Sequence, residues 1–167
     1  LDACEGGELF QHVVEQGGLA AGAAAPLLLQ LCAALRHAHR HGIAHRDIKL
    51  ENILLTRSYG SGEPIVVKLI DWGLAHAHAL TADGEVVPAR LRSRCGSRSY
   101  MAPEVASRER GAGGAPSEGD GGYDGFKADV WSVGALLFYM LTGEPLVRLE
   151  SVEAGGDDSA EFDRLCR

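Results

Sequence analysis

Lysine is scarce in this sequence. Of 16 basic residues only Lys49, Lys68 and Lys127 are lysines, and 23 acids outnumber the bases, so the formal charge is 16 minus 23, or −7. That balance excludes wholesale binding to nucleic acid or to an anionic membrane by bulk electrostatics, and any basic function must be local. The four cysteines, Cys4, Cys32, Cys95 and Cys166, are far apart and form no C-x-x-C pair. Neither a zinc site nor a dense disulfide framework is therefore expected, and a reducing compartment fits. The longest apolar run, around Val133 to Leu141, is about half of the ~20 residues a bilayer crossing needs. No charged-then-apolar leader opens the chain, which starts at Leu1 rather than at a methionine. The expectation is a soluble cytoplasmic or nuclear protein, or a piece of one, with no membrane or nucleic-acid partner. No internal repeat is visible, and 46% hydrophobic against 23% charged residues supplies a real core.

Periodicity gives the outline. Leu9, Phe10, Val13 and Val14 mark a short amphipathic helix ended by Gly17 and Gly18. From Pro26 to His41 the residues Leu27, Leu28, Leu31, Leu35 and Ala38 recur in steps of three and four, a helix with one core-facing stripe and Pro26 in its first turn. Residues 43–55 read as a loop between short strands. The turn-rich segment Ser58–Pro64 followed by the β-branched run Ile65–Ile70 predicts a hairpin and a strand that delivers Asp71. Thr81–Arg98 reads as irregular, and Ser107–Gly122, with six glycines, as a flexible insertion. Asp129–Thr142 is apolar enough for a helix buried on most sides.

Three short strings carry chemistry, and they occur in order. The first is His45-Arg46-Asp47-Ile48-Lys49-Leu50-Glu51-Asn52. Transfer of a phosphoryl group to a hydroxyl needs a carboxylate to orient the hydroxyl and accept its proton. It also needs a cation for the migrating charge and an amide oxygen on a metal, which Asp47, Lys49 and Asn52 could supply. The second is Asp71-Trp72-Gly73, a carboxylate at a strand end able to reach Mg²⁺. The third is Ala102-Pro103-Glu104.

On these strings the sequence resembles the catalytic domain of eukaryotic serine/threonine protein kinases. Trp72 stands where the family usually has Phe, a position that packs as an apolar body and should tolerate an indole. Lys49 is the serine/threonine-type residue, and Cys95-Gly96-Ser97-Arg98-Ser99-Tyr100-Met101 resembles the loop that docks a Ser or Thr substrate. Glu5–Phe10 and the stretch Tyr123–Gly134 are closest to the calmodulin-dependent and AMP-activated kinase group. The fold this resemblance implies is mainly α with short β hairpins, the C-terminal lobe of a protein kinase, with residues 1–167 a partial domain. No lysine precedes Lys49 and no G-x-G-x-x-G occurs, so the N-terminal β lobe is expected to be missing from this sequence and the chain alone to transfer negligible phosphate.

The resemblance also implies roles. Asp2 and Cys4 match the hinge that bonds adenine through its backbone, Leu54 the floor beneath the ring, and Glu8 a carboxylate that meets the ribose or a substrate arginine. Asp47 is the implied base, Lys49 its electrostatic partner, and Asn52 and Asp71 the Mg²⁺ ligands of bound ATP. Asp129 matches an aspartate that holds the catalytic-loop backbone, and Glu104 one that pairs with a distant arginine. Ser97 takes the place of the usual Thr. Ser93 falls where relatives carry an activating phosphate placed by an upstream kinase, with Arg46 as the group that grips it. Glu8 and Glu51 match acidic contacts for basic residues upstream of the acceptor in protein substrates, although Tyr139 replaces a third acid.

Blander readings stand beside these. His37, His39, His41 and His45 invite a metal, His37 and His41 lying one helical turn apart, but the favoured reading is a polar helix face, with His45 buried as the structural histidine of its motif. Gly17–Gly22 has the spacing of a Walker loop but is followed by Ala23-Ala24 instead of Lys-Ser/Thr, which leaves a turn between helices. The arginines of 90–98 fit a solvated loop better than a nucleic-acid site, and Met101 and Trp131 read as core. As a whole, the alternative to an enzyme is a kinase-like scaffold or decoy that keeps these residues without using them.

Overall fold

A computed structural model describes residues 4–57, 62, 64–107 and 121–147. Asp2 and nearly all of the glycine-rich segment 107–122 lie outside them. The described residues form four α-helices and three small antiparallel sheets.

The first helix, α1 (Leu9–Gln16), buries Leu9 and Val13 and ends at Gly17 in the left-handed conformation. The amides of Gly17 and Gly18 bond back to Val14 and Val13, the pairing of a glycine-terminated helix. The second, α2, runs Ala21–Arg40 and buries Ala24, Leu27, Leu31, Leu35 and Ala38. It starts one and a half turns earlier than the sequence pattern predicts, so Pro26 lies inside the helix and not in its first turn. The proline is tolerated because the amide it lacks would have met the carbonyl of Gly22, which is exposed and can bond water.

A sheet of β1 (Gly7–Glu8), β3 (Ile53–Leu55) and β4 (Val67–Leu69) covers the upper end of these helices, while β2 (Ile43–Ala44) pairs with β5 (His76–Ala77). The strand predicted from Ile65 begins only at Val67, because Gln30 of α2 caps the entry: its Nε2 donates to Ile65 O at 3.0 Å and its Oε1 accepts from Val67 N at 3.0 Å. Registry sets Glu8, Leu54 and Lys68 opposite one another; paired residues share a sheet face, so these three stand on the face away from buried Ile53 and Leu55.

The segment predicted to be irregular contains a hairpin, β6 (Ala79–Leu80) with β7 (Val86–Val87). Its turn carries Asp83-Gly84, with Gly84 at φ 80°, a turn signal that the arginine-rich stretch beyond it obscures. A short 3₁₀ turn, Arg98–Tyr100, and the helix α3 (Pro103–Ala106) follow.

The last described helix, α4 (Gly125–Thr142), is capped by Asp124, whose Oδ1 accepts from the amides of Phe126 and Lys127. It is not buried on most sides. Ala128, Asp129, Ala135, Leu136 and Met140 are buried, but Val130, Phe138 and Leu141 are 63%, 40% and 42% exposed. Trp131 is half-buried against a smaller cluster of Leu91, Met101, Val105, Tyr123 and Val147, so only Met101 of the two expected core residues is fully enclosed. The larger core joins α1, α2 and α4 with Ile48, Leu50, Ile53 and Leu55. The C-termini of α1 and α4 abut: a Cβ on Gly143 would stand 2.5 Å from Gly17 C, and one on Gly18 2.8 Å from Leu141 O. Among the described residues no helix is long and apolar enough to cross a membrane.

Candidate active site

The site begins with one buried acid. Asp129, in the first turns of α4, is 1% exposed and accepts three hydrogen bonds: His45 N at 2.8 Å and His39 Nε2 at 2.8 Å on Oδ2, and Arg46 N at 2.7 Å on Oδ1. A carboxylate so enclosed is tolerable only because donors replace its water. Its grip fixes the start of the loop 45–52, where Arg46 takes φ 67°, a conformation that costs a non-glycine residue roughly 1 kcal/mol or more.

His45 is fully buried. Its Nε2 lies 3.1 Å from Ile70 O and its Nδ1 accepts from Asp47 N at 3.3 Å, so the proton belongs on Nε2. Burial pushes its pKa down, ahead of the opposing carbonyl and carboxylate contacts, and the ring is neutral. The ring thus ties the loop to the residue before Asp71. Trp72, expected to pack as an apolar body, does so on one side only: its ring is 4.6 Å from His45 and the side chain is 42% exposed.

Asp47 ends up at the centre of a dense set of donors. Its Oδ1 accepts from Ser97 N at 2.9 Å and Ser97 Oγ at 2.8 Å, and its Oδ2 lies 3.1 Å from Lys49 Nζ. Lys49 also donates to Ser97 Oγ at 3.1 Å, and Asn52 Nδ2 donates to Asp47 O at 2.9 Å and Oδ2 at 3.3 Å. Burial alone would raise the Asp47 carboxyl; the Ser97 hydroxyl, the charge and hydrogen bond of Lys49 and the Ser97 amide outweigh it and hold the pKa below the ordinary aspartate value. The group is an anion at neutral pH. Gly96 permits this closeness, because a Cβ there would stand 2.6 Å from Arg46 O and its φ is 104°.

Asn52 commits its amide nitrogen to Asp47, which leaves the amide oxygen for a hard cation. Asp71 is exposed, at φ 60°, with Oδ1 accepting from Gly73 N at 3.2 Å. Among the described residues no hydrogen bond joins Asp71 to Asp47 or Asn52 directly. They are brought to one edge by backbone, since Ile70 N donates to Asn52 O at 2.9 Å where the β3–β4 pairing ends. Two oxygen donors of this kind fit Mg²⁺, which keeps several waters and prefers a few carboxylate or amide oxygens.

The other predicted residues are placed as follows. Arg46 reaches across to Ser93, Nη1 to Oγ 2.7 Å, while its Nε donates to Leu74 O at 2.6 Å. Glu51 accepts from the buried Tyr100 hydroxyl at 3.3 Å, and burial, with Glu51 beside it, pushes the Tyr100 pKa up. Leu54 and Glu8 share the open face of the first sheet, apart from the Asp47 cluster. Cys4 is half-buried, and its carbonyl accepts from Gly7 N at 3.3 Å. Glu104 is exposed on α3.

Sequence reasoning missed two contributors. His39, taken as part of a polar helix face, is a donor to Asp129, 90 residues away, and no local signal marks it. Lys68 stands opposite Leu54 on the face expected to meet adenine, which strand parity could have found.

The model of the family described as protein kinase domain fits residues 1–162. The chain belongs to the protein kinase family. Similar proteins include CBL-interacting serine/threonine-protein kinase 7 of Arabidopsis thaliana, 37% identical over 144 residues that make 86% of this chain and 28% of that protein. Serine/threonine-protein kinase GIN4 of Saccharomyces cerevisiae is 38% identical over 86% of this chain and 10% of its own length. Serine/threonine-protein kinase cds1 of Schizosaccharomyces pombe is 37% identical over 85% and 27%. The chain spans less than a third of each of these kinases. Their serine/threonine type agrees with Lys49 and the Cys95–Met101 loop, and is consistent with the calmodulin-dependent and AMP-activated group.

Proposed function

We propose that the chain is the C-terminal lobe of a serine/threonine protein kinase that moves the ATP γ-phosphate to Ser or Thr hydroxyls of protein substrates. The observation that carries this reading is the Asp47 carboxylate, held ionised with one oxygen 2.8 Å from a serine hydroxyl and the other 3.1 Å from an ammonium. Ser97 Oγ occupies the kind of position an acceptor hydroxyl must reach.

Bound Mg²⁺·ATP would supply the phosphoryl group and the cation that neutralises its oxygens. The chain's own residues do the rest. Asp47 orients the acceptor hydroxyl and takes its proton as the new O–P bond forms and the bond to the ADP oxygen breaks. Lys49 offsets the charge that gathers between them, Asn52 and Asp71 would hold the metal, and Glu8, Leu54 and Cys4, with Asp2 by family resemblance, would bound the nucleoside. Arg46, already on the Ser93 hydroxyl, would grip a phosphate placed there by an upstream kinase. Glu8 and Glu51 favour substrates with basic residues upstream of the acceptor, and the working compartment is the cytoplasm or nucleus.

The test uses the full-length protein that contains this chain. Radiolabelled ATP and a Ser/Thr peptide should give transfer that Asp47→Asn lowers at least a hundredfold, as loss of a general base does, while ATP affinity is kept. The isolated 167 residues should show none. Unchanged transfer by Asp47→Asn would overturn the assignment; a full-length protein that binds peptides but never phosphorylates them would favour the scaffold.

A further inference from the structure

One buried histidine has no part in the phosphotransfer reading. His78, just after β5, is 7% exposed and bonds to two separate parts of the chain. Its backbone amide donates to Gly42 O at 2.7 Å, immediately before β2 and the loop that carries Asp47, and its ring Nδ1 accepts from Ala89 N at 3.0 Å. Ala89 lies at the open end of the β6–β7 hairpin. Pro88 has no N–H and stops the backbone ladder there, so the imidazole takes the next amide. Two residues on, Leu91 exchanges two backbone bonds with Tyr123, both at 2.8 Å. The same stretch continues to Ser93, held by Arg46, and to Ser97, held by Asp47. His78 thus joins the root of the Asp47 loop to the root of the segment that meets it.

The bond to Ala89 fixes where the ring carries its proton. With Nδ1 as acceptor, the hydrogen of a neutral imidazole is on Nε2, and Nε2 is buried with no hydrogen-bond partner among the described residues. A second proton can go only to Nδ1, where it would point at the Ala89 N–H and replace the bond by two facing donors. We propose that His78 is an acid-sensitive latch: its neutral ring seats residues 89–97 against the Asp47 loop, and protonation of Nδ1 releases them. The charged and titratable groups that face the ring are His76 of β5, 4.8 Å away, Asp124 at the cap of α4, Arg46 of the loop 45–52 and His39 of α2. Asp124 already accepts from the amides of Phe126 and Lys127, Arg90 beside Ala89 is exposed, and β2, β6 and β7 consist of apolar residues alone. Phe126 covers the ring at 4.6 Å. Burial, followed by His76, pushes the His78 pKa down, so the latch is closed at neutral pH and opens as pH falls through a value below the ordinary ~6.5. Ala89 is exposed, so its freed amide meets water, and the latch is worth one hydrogen bond, about fivefold in the opening of the segment.

On the phosphotransfer reading, release takes Ser97 off Asp47 and weakens transfer to a peptide in acid; if no Asp47-dependent transfer occurs, that reading has failed and the latch is still decided by its own measurement. The experiment follows hydrogen exchange by mass spectrometry in the full-length protein that contains this chain, with rates corrected for the intrinsic effect of pH. Native protein is compared with His78→Asn and His78→Leu. Asparagine offers a non-titrating oxygen close to the place of Nδ1, and leucine fills the space with no acceptor. At about pH 7.5 residues 89–97 should exchange alike in native protein and His78→Asn, and about fivefold faster in His78→Leu. At about pH 5 the native protein should rise to the His78→Leu rate while His78→Asn keeps its protection. If His78→Leu also loses the protection of residues 27–38 in α2, it is not folded, and native protein against His78→Asn decides alone. Native protection that stays level with His78→Asn down to about pH 5, or a folded His78→Leu that matches native protein at about pH 7.5, overturns the proposal.

Discussion

Replacing Asp129 by asparagine isolates the contact that holds the loop 45–52 to the core. The carboxylate is 1% exposed and takes three donors at 2.7–2.8 Å, two of them backbone amides of a loop in which Arg46 has φ 67°. Asparagine keeps the volume and one acceptor oxygen but sets an NH₂ against donors on the other side. With that oxygen in the place of Oδ2 the Arg46 N bond at ~1.5–3 kcal/mol is lost, and the buried NH₂ and amide left facing each other cost a further ~1–3 kcal/mol, so Asp129→Asn should destabilise by about 3–5 kcal/mol. In a chain of this size that lowers Tm by roughly 6–20 °C. His39→Ala, which removes one donor and leaves both amides in place, should cost only about 1–2 kcal/mol. Thermal and urea unfolding followed by tryptophan fluorescence measures both, with Trp72 beside His45 as a local reporter at 4.6 Å. If Asp129→Asn falls within 1 kcal/mol of the native chain, the loop is held by something else and the reasoning fails.

Three further outcomes follow from the same contacts. Ser97→Ala removes the hydroxyl that helps keep Asp47 below the ordinary aspartate pKa. A depressed carboxylate stabilises above its unfolded pKa, about 3.9, and that stability is lost as pH falls through the folded value. The acid-unfolding limb measured by circular dichroism should therefore move to higher pH in the variant. His45 and His78 are both lowered, burial being the main cause. Between the folded and unfolded values the unfolded chain binds more protons, so stability is full above pH ~6.5 and declines as pH falls below it. His45→Gln should flatten that stretch of a urea-midpoint-against-pH plot, and an unchanged slope would show that His45 titrates normally. At Gly143, with φ 72° and a Cβ site 2.5 Å from Gly17 C, alanine should cost more than ~1 kcal/mol, whereas Gly22→Ala, in a helix with nothing within 4 Å, should stabilise by ~0.5–1 kcal/mol. Paired thermal melts decide both.

The legible parts of this molecule are those set by local pattern. Leu27, Leu31, Leu35 and Ala38 fall at helical spacing and are buried as that spacing requires, and Gly17 stops α1 because the chain must turn left-handed there. The errors come where a distant group decides. Strand β4 starts at Val67 and not Ile65 because Gln30, more than thirty residues earlier, takes the backbone bonds. Pro26 sits inside α2 because solvent can satisfy the carbonyl it strands. His39 looks like surface until α4 brings Asp129 to it from 90 residues away. At the site, motif order singled out Asp47, Lys49, Asn52 and Asp71 without any distances, and the fold brings the first three into contact. Motif order could not reveal that Ser97, known only as a substitute for Thr, closes a triangle with Asp47 and Lys49.

That triangle depends on α4 more than on its own segment. Ser97 follows a glycine and precedes a single 3₁₀ turn, so little local structure holds it. What holds the turn is Ser132 of α4, whose hydroxyl donates to Tyr100 O at 2.8 Å, while Asp129 one turn earlier holds the opposite partner through His45 and Arg46. One helix thus sets both Asp47 and the loop that meets it. The same helix is only half covered, with Val130 63% exposed in a groove where Leu35 and Val133 meet Arg36, His39 and Arg40 of α2. Any tilt or fraying of α4 moves Asp47 and Ser97 relative to each other before it disturbs the strands around Asn52 and Asp71. On the proposed function, substitutions that loosen α4 should therefore cost phosphotransfer earlier than they cost binding of the nucleotide's metal.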